Sequence, residues 1–217
     1  MKINSFLRLF PIIALFLAST AHADYLWIER DGAALKVRAG ELAQPLAALP
    51  ALRDAKAVQP DGKSLSHTTA NDHFAFSPAE NADARFSALR AGSDGVLTYF
   101  EARFGRRETT PVNSLELVPT TPDGNTFRLF FKGQPVAASR VNVETSEGWR
   151  RVLTAAPDGT VRFHTSFPGI YVLEVSAQVN NGNVTLEGKT YKDVRYTATL
   201  SFEVPDANAK GAVDAAR

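Results

Sequence analysis

The chain of 217 residues contains no cysteine. This absence excludes disulfide bonds, thiol nucleophiles and cysteine metal ligands, and it excludes a lipid anchor attached to an N-terminal cysteine. Methionine occurs only once, at Met1, so a methionine-rich copper site is excluded from the rest of the chain. The fold must therefore be stabilised by the packing of its secondary structure.

Long apolar runs are also lacking, apart from one near the N-terminus. Two basic residues precede an apolar run from Leu9 to Leu17, and small residues follow it. The run is shorter than the roughly 20 apolar residues that cross a bilayer, so the pattern predicts a cleavable signal peptide over residues 1–23. Cleavage after Ala21 and cleavage after Ala23 both satisfy the small-residue pattern. We expect a periplasmic protein that does not span the membrane after cleavage.

The chain also lacks an excess of charge of either sign, with 24 basic and 23 acidic residues. The densest basic cluster contains Arg103, Arg106 and Arg107, and it is flanked by Glu101 and Glu108. This mixture predicts a solvated strand end and not a nucleic-acid surface, which needs a clustered basic face. We expect no nucleic-acid partner.

Alternating apolar and polar residues predict an all-β protein. The runs Tyr171–Ala177 and Tyr196–Phe202 place large apolar residues on one face and polar residues on the other. This period of two is typical of strands that are half-buried in a sandwich. We expect one shared core for the apolar faces, formed by Leu173, Val175, Leu200 and Phe202.

Turn clusters of Gly, Pro, Asp and Asn separate the strand candidates at short intervals, as in sandwiches and barrels. The sequence therefore predicts two Ig-like or transthyretin-like β-sandwich domains after the signal peptide. The N-terminal domain is expected over 24–112 and the C-terminal domain over 113–205. Residues 206–217 are small and polar, and they are expected to form a disordered tail.

No catalytic motif stands out. The chain contains no Gly-x-Ser-x-Gly motif and no phosphate-binding glycine loop. A catalytic pair of carboxylates stays open, because any two of the 23 acidic residues could meet in the fold. His67 and His73, with Asp72 beside the second, form a candidate metal site because imidazole and carboxylate groups bind transition metals. Their spacing matches no zinc motif, so surface loop histidines are the alternative. Trp149 follows a turn glycine and is a candidate contact for a ligand or partner, whereas Trp27 is expected in the core.

Several stretches in order along the chain resemble a known family. They are Asp24–Glu29, Leu97–Arg106, Leu115–Pro119, Phe131–Val136, Gly159–Phe163 with Pro168–Tyr171, Gly188–Tyr191 and Arg195–Leu200. Together they resemble a periplasmic family of unknown function that is associated with nickel and cobalt uptake. The second half is also similar to carboxypeptidase-regulatory and transthyretin-like sandwich modules.

The resemblance implies an accessory or binding protein in transition-metal uptake and not an enzyme, with nickel or cobalt as its metal. Its partner would be a metal-uptake membrane transporter or an outer-membrane receptor. Members of the family often carry a histidine just before the first strand, where this chain has Asp24. The alternative function is a structural or adhesion-like envelope module that binds a protein or a glycan through an exposed sheet edge or Trp149.

Overall fold

The computed structural model describes residues 24–80, 82–138, 140–179 and 183–206. The predicted signal peptide and nearly all of the predicted tail lie outside these residues. The described part of the chain holds nineteen strands and no helix, so no helix there is long and apolar enough to cross a membrane. The strands are β1 (Tyr25–Asp31), β2 (Ala34–Glu41), β3 (Gln44–Pro45), β4 (Arg53–Val58), β5 (Ser64–Leu65), β6 (His67–Thr69), β7 (His73–Phe76), β8 (Ala84–Ala91), β9 (Val96–Phe104), β10 (Leu115–Pro119), β11 (Thr126–Phe131), β12 (Gln134–Val136), β13 (Val141–Thr145), β14 (Arg150–Leu153), β15 (Thr160–Arg162), β16 (Gly169–Val179), β17 (Val184–Leu186), β18 (Lys189–Tyr191) and β19 (Asp193–Val204). The predicted all-β class is confirmed.

Three sheets form the body of the protein. The central sheet has eight strands in the order β14-β13-β16-β19-β9-β8-β4-β5. The first outer sheet has the order β1-β2-β7-β6, with β3 also paired to β2. The second outer sheet has the order β10-β11-β12, with β15 also paired to β11, and β17 and β18 form a separate hairpin.

The central sheet joins the two halves of the chain. Its strands β9 and β19 pair in parallel over nine residues, from Asp193 opposite Val96 to Ser201 opposite Phe104. The first half and the second half nevertheless have separate cores, one around Phe86 and the other around Leu173. The two predicted domains thus share a sheet, and their division at residue 112 stays a prediction.

The two outer sheets cover opposite faces of the central sheet, because alternate residues of β19 reach different neighbours. Leu200 and Phe202 lie in the core beneath the second outer sheet, together with Leu173 and Val175 as predicted. The polar residues between them face β1. Ser201 Oγ accepts a hydrogen bond from the Ile28 N–H at 3.2 Å on that side.

The polar face of β19 differs from the half-buried strand that the sequence predicted. Thr197, Thr199 and Ser201 are all buried. Thr199 Oγ1 donates a hydrogen bond of 2.6 Å to the carbonyl oxygen of Leu26, the second residue of β1. Because β1 is an edge strand, its backbone needs partners beyond β2, and these hydroxyl groups provide them.

Candidate functional site

Asp72 and His73 form one part of the predicted metal site. Asp72 lies at the turn before β7, and His73 is the first residue of that strand. His73 Nδ1 is 2.8 Å from Asp72 Oδ1, and Arg38 Nη1 donates a hydrogen bond of 2.8 Å to Asp72 Oδ2. The pKa of the Asp72 carboxyl is lowered to about 2 by these hydrogen bonds, first from His73 and then from Arg38. The carboxylate is therefore ionised and its two oxygens already have partners.

His67 lies apart from that pair. It stands opposite Phe76 in the pairing of β6 with β7, so it shares the core-facing side of the sheet with Phe76 and Phe74. Its ring makes edge contacts with Phe74 and Phe86 at centroid distances of 5.7 and 5.8 Å. His73 projects from the other face, since successive residues of a strand alternate. The structure brings Asp72 and His73 together and does not bring His67 to them.

Within the described ranges, no group of three or more histidine, aspartate or glutamate side chains is placed to hold a metal ion. The metal site stays a prediction, and the geometry offers it one nitrogen and one oxygen. An adjacent guanidinium also opposes a cation at Asp72, because like charges repel.

Trp149 directly precedes β14, which is an edge strand of the central sheet. It is partly buried against the second core, and its ring centroid lies 6.3 Å from that of Phe167. Phe167 is one of the exposed large apolar residues, with 38% of its surface accessible. Trp27, by contrast, is 1% exposed, as expected for a core residue. An aromatic pair therefore lies at the N-terminal end of strand β14.

Strand β14 is the last strand of the central sheet on that side and pairs only with β13 among the described strands. The Thr145 N–H donates to the Trp149 carbonyl at 3.0 Å. This bond shows which residues of β14 have their backbone groups directed at β13. Alternate residues of an antiparallel pair bond to the partner, so Arg151 and Leu153 face β13. The backbone groups of Arg150 and Val152 point away from the sheet.

The side chains on β14 keep this edge accessible. Val152 is 47% exposed, and Arg151 is exposed as well. Arg150 is held by Glu41 at 3.0 Å and Glu144 at 3.4 Å, so its guanidinium lies back over the first outer sheet. The edge thus presents two arginines followed by a valine, beside the aromatic pair.

The other edge of the central sheet is irregular. Strand β5 has two residues, and the pairing of β4 with β8 shifts register between Arg53 and Lys56. Asp54 within this bulge has a positive φ of 51°. Bulges and very short strands prevent an edge from pairing with another chain. Of the two edges, β14 is the one whose geometry permits an added strand.

A buried cluster of charges lies between β8, β9 and the segment 105–114, which connects β9 to β10. Arg103 is fully buried and donates to Glu116 Oε1 at 3.0 Å and to Asp83 Oδ2 at 2.7 Å. It also donates to the carbonyl oxygens of Gly105, at 3.2 Å, and Glu108. One side chain of β9 is thereby bonded to the residue that precedes β8, to β10 and to the start of the connecting segment.

Arg85 on β8 repeats this arrangement. It is also fully buried, and it donates to Glu116 Oε1 at 2.8 Å and to the carbonyl of Thr110 at 3.1 Å. Its Nη1 has no hydrogen-bond partner among the described residues. Burial lowers the pKa of Arg85, and the charge of Glu116 opposes this effect. The arginine remains charged because a guanidinium keeps its proton in proteins.

The carboxylates of the cluster accept backbone N–H groups of the connecting segment and of Leu115, the first residue of β10. The donor distances are 3.2 and 2.9 Å from Arg107 and Glu108 to Asp83, 2.7 and 2.8 Å from Val112 and Asn113 to Glu116, and 2.9 and 2.6 Å from Ser114 and Leu115 to Glu101. Burial raises the pKa of Glu101, and the two backbone donors oppose the shift. The segment forms no strand, and these side chains replace the strand partners of its backbone.

The sequence prediction of a solvated strand end is wrong for Glu101 and Arg103. Their exposures are 7% and 0%. Both lie at alternate positions of β9, where charges normally face water, and the sequence shows no sign of the segment that covers them. The only sign of the buried cluster in the sequence is that β8, β9 and β10 carry basic and acidic residues together.

Comparison with protein-family models gives no match, and no curated protein matches the chain. The resemblance to a nickel- and cobalt-associated family stays a prediction.

Proposed function

We propose that this chain is a periplasmic accessory protein that binds an extended segment of a partner protein along the outer edge of β14. The observation that carries the proposal is the pair of outward-directed backbone positions, Arg150 and Val152, at the regular end of the central sheet. Adding a strand to such an edge provides main-chain hydrogen bonds, and the side chains provide specificity. This is the envelope-module function that the sequence left open.

The side chains of the edge define the chemistry of the partner segment. An acidic residue opposite Arg151 and an apolar residue opposite Val152 form favourable cross-strand pairs, each contributing about 0.2–1 kcal/mol. A further apolar side chain of the segment fits against Trp149 and Phe167 at the end of the strand. The proposed occupant is therefore an extended peptide with alternating acidic and apolar residues.

A proline substitution tests the backbone pairing directly. Val152→Pro removes an N–H that points away from the sheet, a position at which an edge strand tolerates proline. Val152→Ala keeps that N–H and removes only the apolar contact, so it is the matched control. Peptides selected on the immobilised wild type from a displayed random library are the probes.

The proposal predicts that selected peptides lose binding to Val152→Pro and retain most of it with Val152→Ala. Hydrogen exchange should show that bound peptide protects the amides of Arg150 and Val152. Equal binding to wild type and Val152→Pro, or enrichment of no peptide at all, would contradict it. Thermal unfolding of each variant establishes that the fold is intact.

The role in nickel or cobalt uptake is a second candidate, supported by the contact between Asp72 and His73. These two side chains provide a nitrogen and an oxygen ligand, and a transporter or receptor could complete the shell. Nickel titration of the same protein distinguishes the two functions, since the strand-pairing function does not require a metal.

A further inference from the structure

Tyr99 and Tyr196 lie side by side on the two strands that join the halves of the protein. They are direct partners in the parallel pairing of β9 with β19. Their ring centroids are 4.9 Å apart and their planes differ by 14°, so the two rings are stacked. The chain has five tyrosines, and in the part of it that the structure describes this is the one contact between two tyrosine rings. The contact joins a residue of the first half to a residue of the second.

The surroundings hold this pair in place and leave one ring partly open. Tyr196 is buried, with 7% of its surface exposed, and the Phe131 ring makes an edge contact with it at a centroid distance of 5.2 Å. Tyr99 is half-buried at the margin of the core of the second half. A molecule in solution can therefore reach the Tyr99 ring, and the Tyr196 ring is already in contact with it.

The composition of the chain directs oxidation to such rings. Cysteine and methionine are the sulfur side chains that oxidants commonly modify. The chain has no cysteine, and its one methionine is Met1. One-electron oxidation then falls on phenol and indole rings, and all of the tyrosine and tryptophan side chains except Tyr99 and Trp149 are buried. Tyr99 is the only one of these two that has a tyrosine ring against it.

We propose that Tyr99 and Tyr196 form a site of oxidative cross-linking, at which a haem peroxidase with hydrogen peroxide, a one-electron oxidant, couples the two rings. The rings together lose two electrons and two protons. A carbon–carbon bond forms between the positions ortho to the two hydroxyl groups, and one C–H bond of each ring breaks. The peroxide accepts the electrons and protons, its O–O bond breaks, and it leaves as two water molecules. The product is one dityrosine within one chain.

The cross-link joins β9 covalently to β19 and so holds the two halves together. It closes a loop of roughly 100 residues, and a link of that span reduces the conformational entropy of the unfolded chain as a disulfide does. The linked protein should therefore unfold at a higher temperature than the unlinked one. The proposal is independent of strand pairing at β14, because the two tyrosines lie on other strands.

Treatment of the purified chain with a haem peroxidase and hydrogen peroxide tests the site. Fluorescence of the monomer fraction measures dityrosine, and mass spectrometry of a protease digest identifies the joined peptides. We expect the peptide that contains Tyr99 to be joined to the peptide that contains Tyr196, with the loss of two hydrogen atoms. The yield in the monomer should not depend on protein concentration, because both rings belong to one chain.

Phenylalanine substitutions keep the rings and remove the phenols. Tyr99→Phe and Tyr196→Phe should each abolish the cross-link in the monomer. Tyr191→Phe is the matched control and should keep it, since Tyr191 is buried against other residues. Thermal unfolding of the untreated variants establishes that each is folded, and the peptide map of the wild type decides the question if one of them is not.

Oxidised monomer that lacks the joined Tyr99 and Tyr196 peptides would overturn the proposal. So would a cross-link of equal yield in folded Tyr99→Phe, or dityrosine that occurs only in dimers and increases with protein concentration. A linked monomer that unfolds at the temperature of the unlinked protein would overturn the claim that the bond holds the halves together.

Discussion

One face of the central sheet is covered in two different ways. Over β16 and β19 the cover is another sheet, and the contacts are apolar, as at Leu173 and Leu200. Over β8 and β9 part of the cover is the irregular segment 105–114, and the contacts are the charges of Arg85, Arg103 and Glu116. A strand brings its own backbone hydrogen bonds, whereas an irregular segment needs side chains that accept and donate them.

This difference explains why charged residues are buried without an apparent catalytic role. Asp83, Glu101 and Glu116 each accept two backbone N–H groups, and Asp83 accepts one arginine and Glu116 two. Arg85 donates to one carbonyl of the segment and Arg103 to two. A buried ion pair contributes little net stability compared with an apolar pair. We infer that the charges here specify one conformation for segment 105–114, which links the two halves.

Glu116→Ala removes the shared acceptor of the buried charge cluster and should have the largest effect on stability. Two buried arginines lose their shared acceptor, and the N–H groups of Val112 and Asn113 lose theirs. We expect unfolding in urea to show a loss of about 3–5 kcal/mol, as when one partner of a buried pair is removed. Glu147→Ala, on an exposed turn, should change stability by less than about 0.5 kcal/mol. Equal stability of the two variants would contradict the account.

Leu173→Ala truncates a fully buried side chain in the apolar core of the second half. It should cost about 2–5 kcal/mol in the same urea measurement, because a large side chain is replaced by a cavity. Val152→Ala removes a similar side chain that is 47% exposed and should cost less than about 0.5 kcal/mol. A Leu173→Ala protein with wild-type stability would show that the core assignment is wrong.

Gly105→Ala tests how closely the connecting segment packs on the cluster. Gly105 has a φ of 96°, and an added Cβ would overlap the carboxylate of Asp83. Gly133 has a φ of 75° with no atom within 4 Å of an added Cβ, so Gly133→Ala carries only the backbone strain. That strain is about 1–3 kcal/mol, and Gly105→Ala should lose clearly more. Equal losses in thermal or urea unfolding would show that the overlap has no consequence.

The pH dependence of stability isolates the charge of Glu101. Burial raises its pKa, so the folded protein binds this proton more tightly than the unfolded chain does. The contribution of Glu101 therefore decreases as the pH rises above its ordinary pKa of about 4.3. We expect the free energy of unfolding of wild type, relative to Glu101→Gln, to be higher at acidic pH than at neutral pH. A pH-independent difference would contradict this interpretation.

The smallest expected effect concerns nickel. If the chain binds nickel through Asp72 and His73, then His73→Ala should abolish the calorimetric signal and His67→Ala should leave it unchanged. The reason is that His67 packs among phenylalanines on the other face of its sheet. Loss of the signal in His67→Ala alone would contradict the placement of the two histidines.

The sequence predicted the apolar part of this architecture well because alternation reports which residues share a face. The faces of Tyr171–Ala177 and Tyr196–Phe202 were assigned correctly, including Leu173 and Phe202. Alternation does not report what covers the second face. Thr199 and Arg103 were therefore expected near water, and both are buried by segments that are distant in sequence.

The candidate site shows the same limit. Proximity in sequence placed Asp72 beside His73 correctly, but the side of the sheet on which His67 lies depends on strand pairing. The outer edge at β14 depends on strand order in the central sheet, which no local pattern predicts. Trp149 was the one residue near this edge that the sequence singled out.

We infer that buried charges hold the irregular segment 105–114 as firmly as strand pairing holds a sheet. Native-state hydrogen exchange of the Val112, Asn113 and Ser114 amides measures this most directly. We predict protection within about tenfold of the Leu200 amide in β19, because these amides are closed by buried acceptors. Exchange as fast as that of Glu147, on the exposed turn between β13 and β14, would contradict the claim.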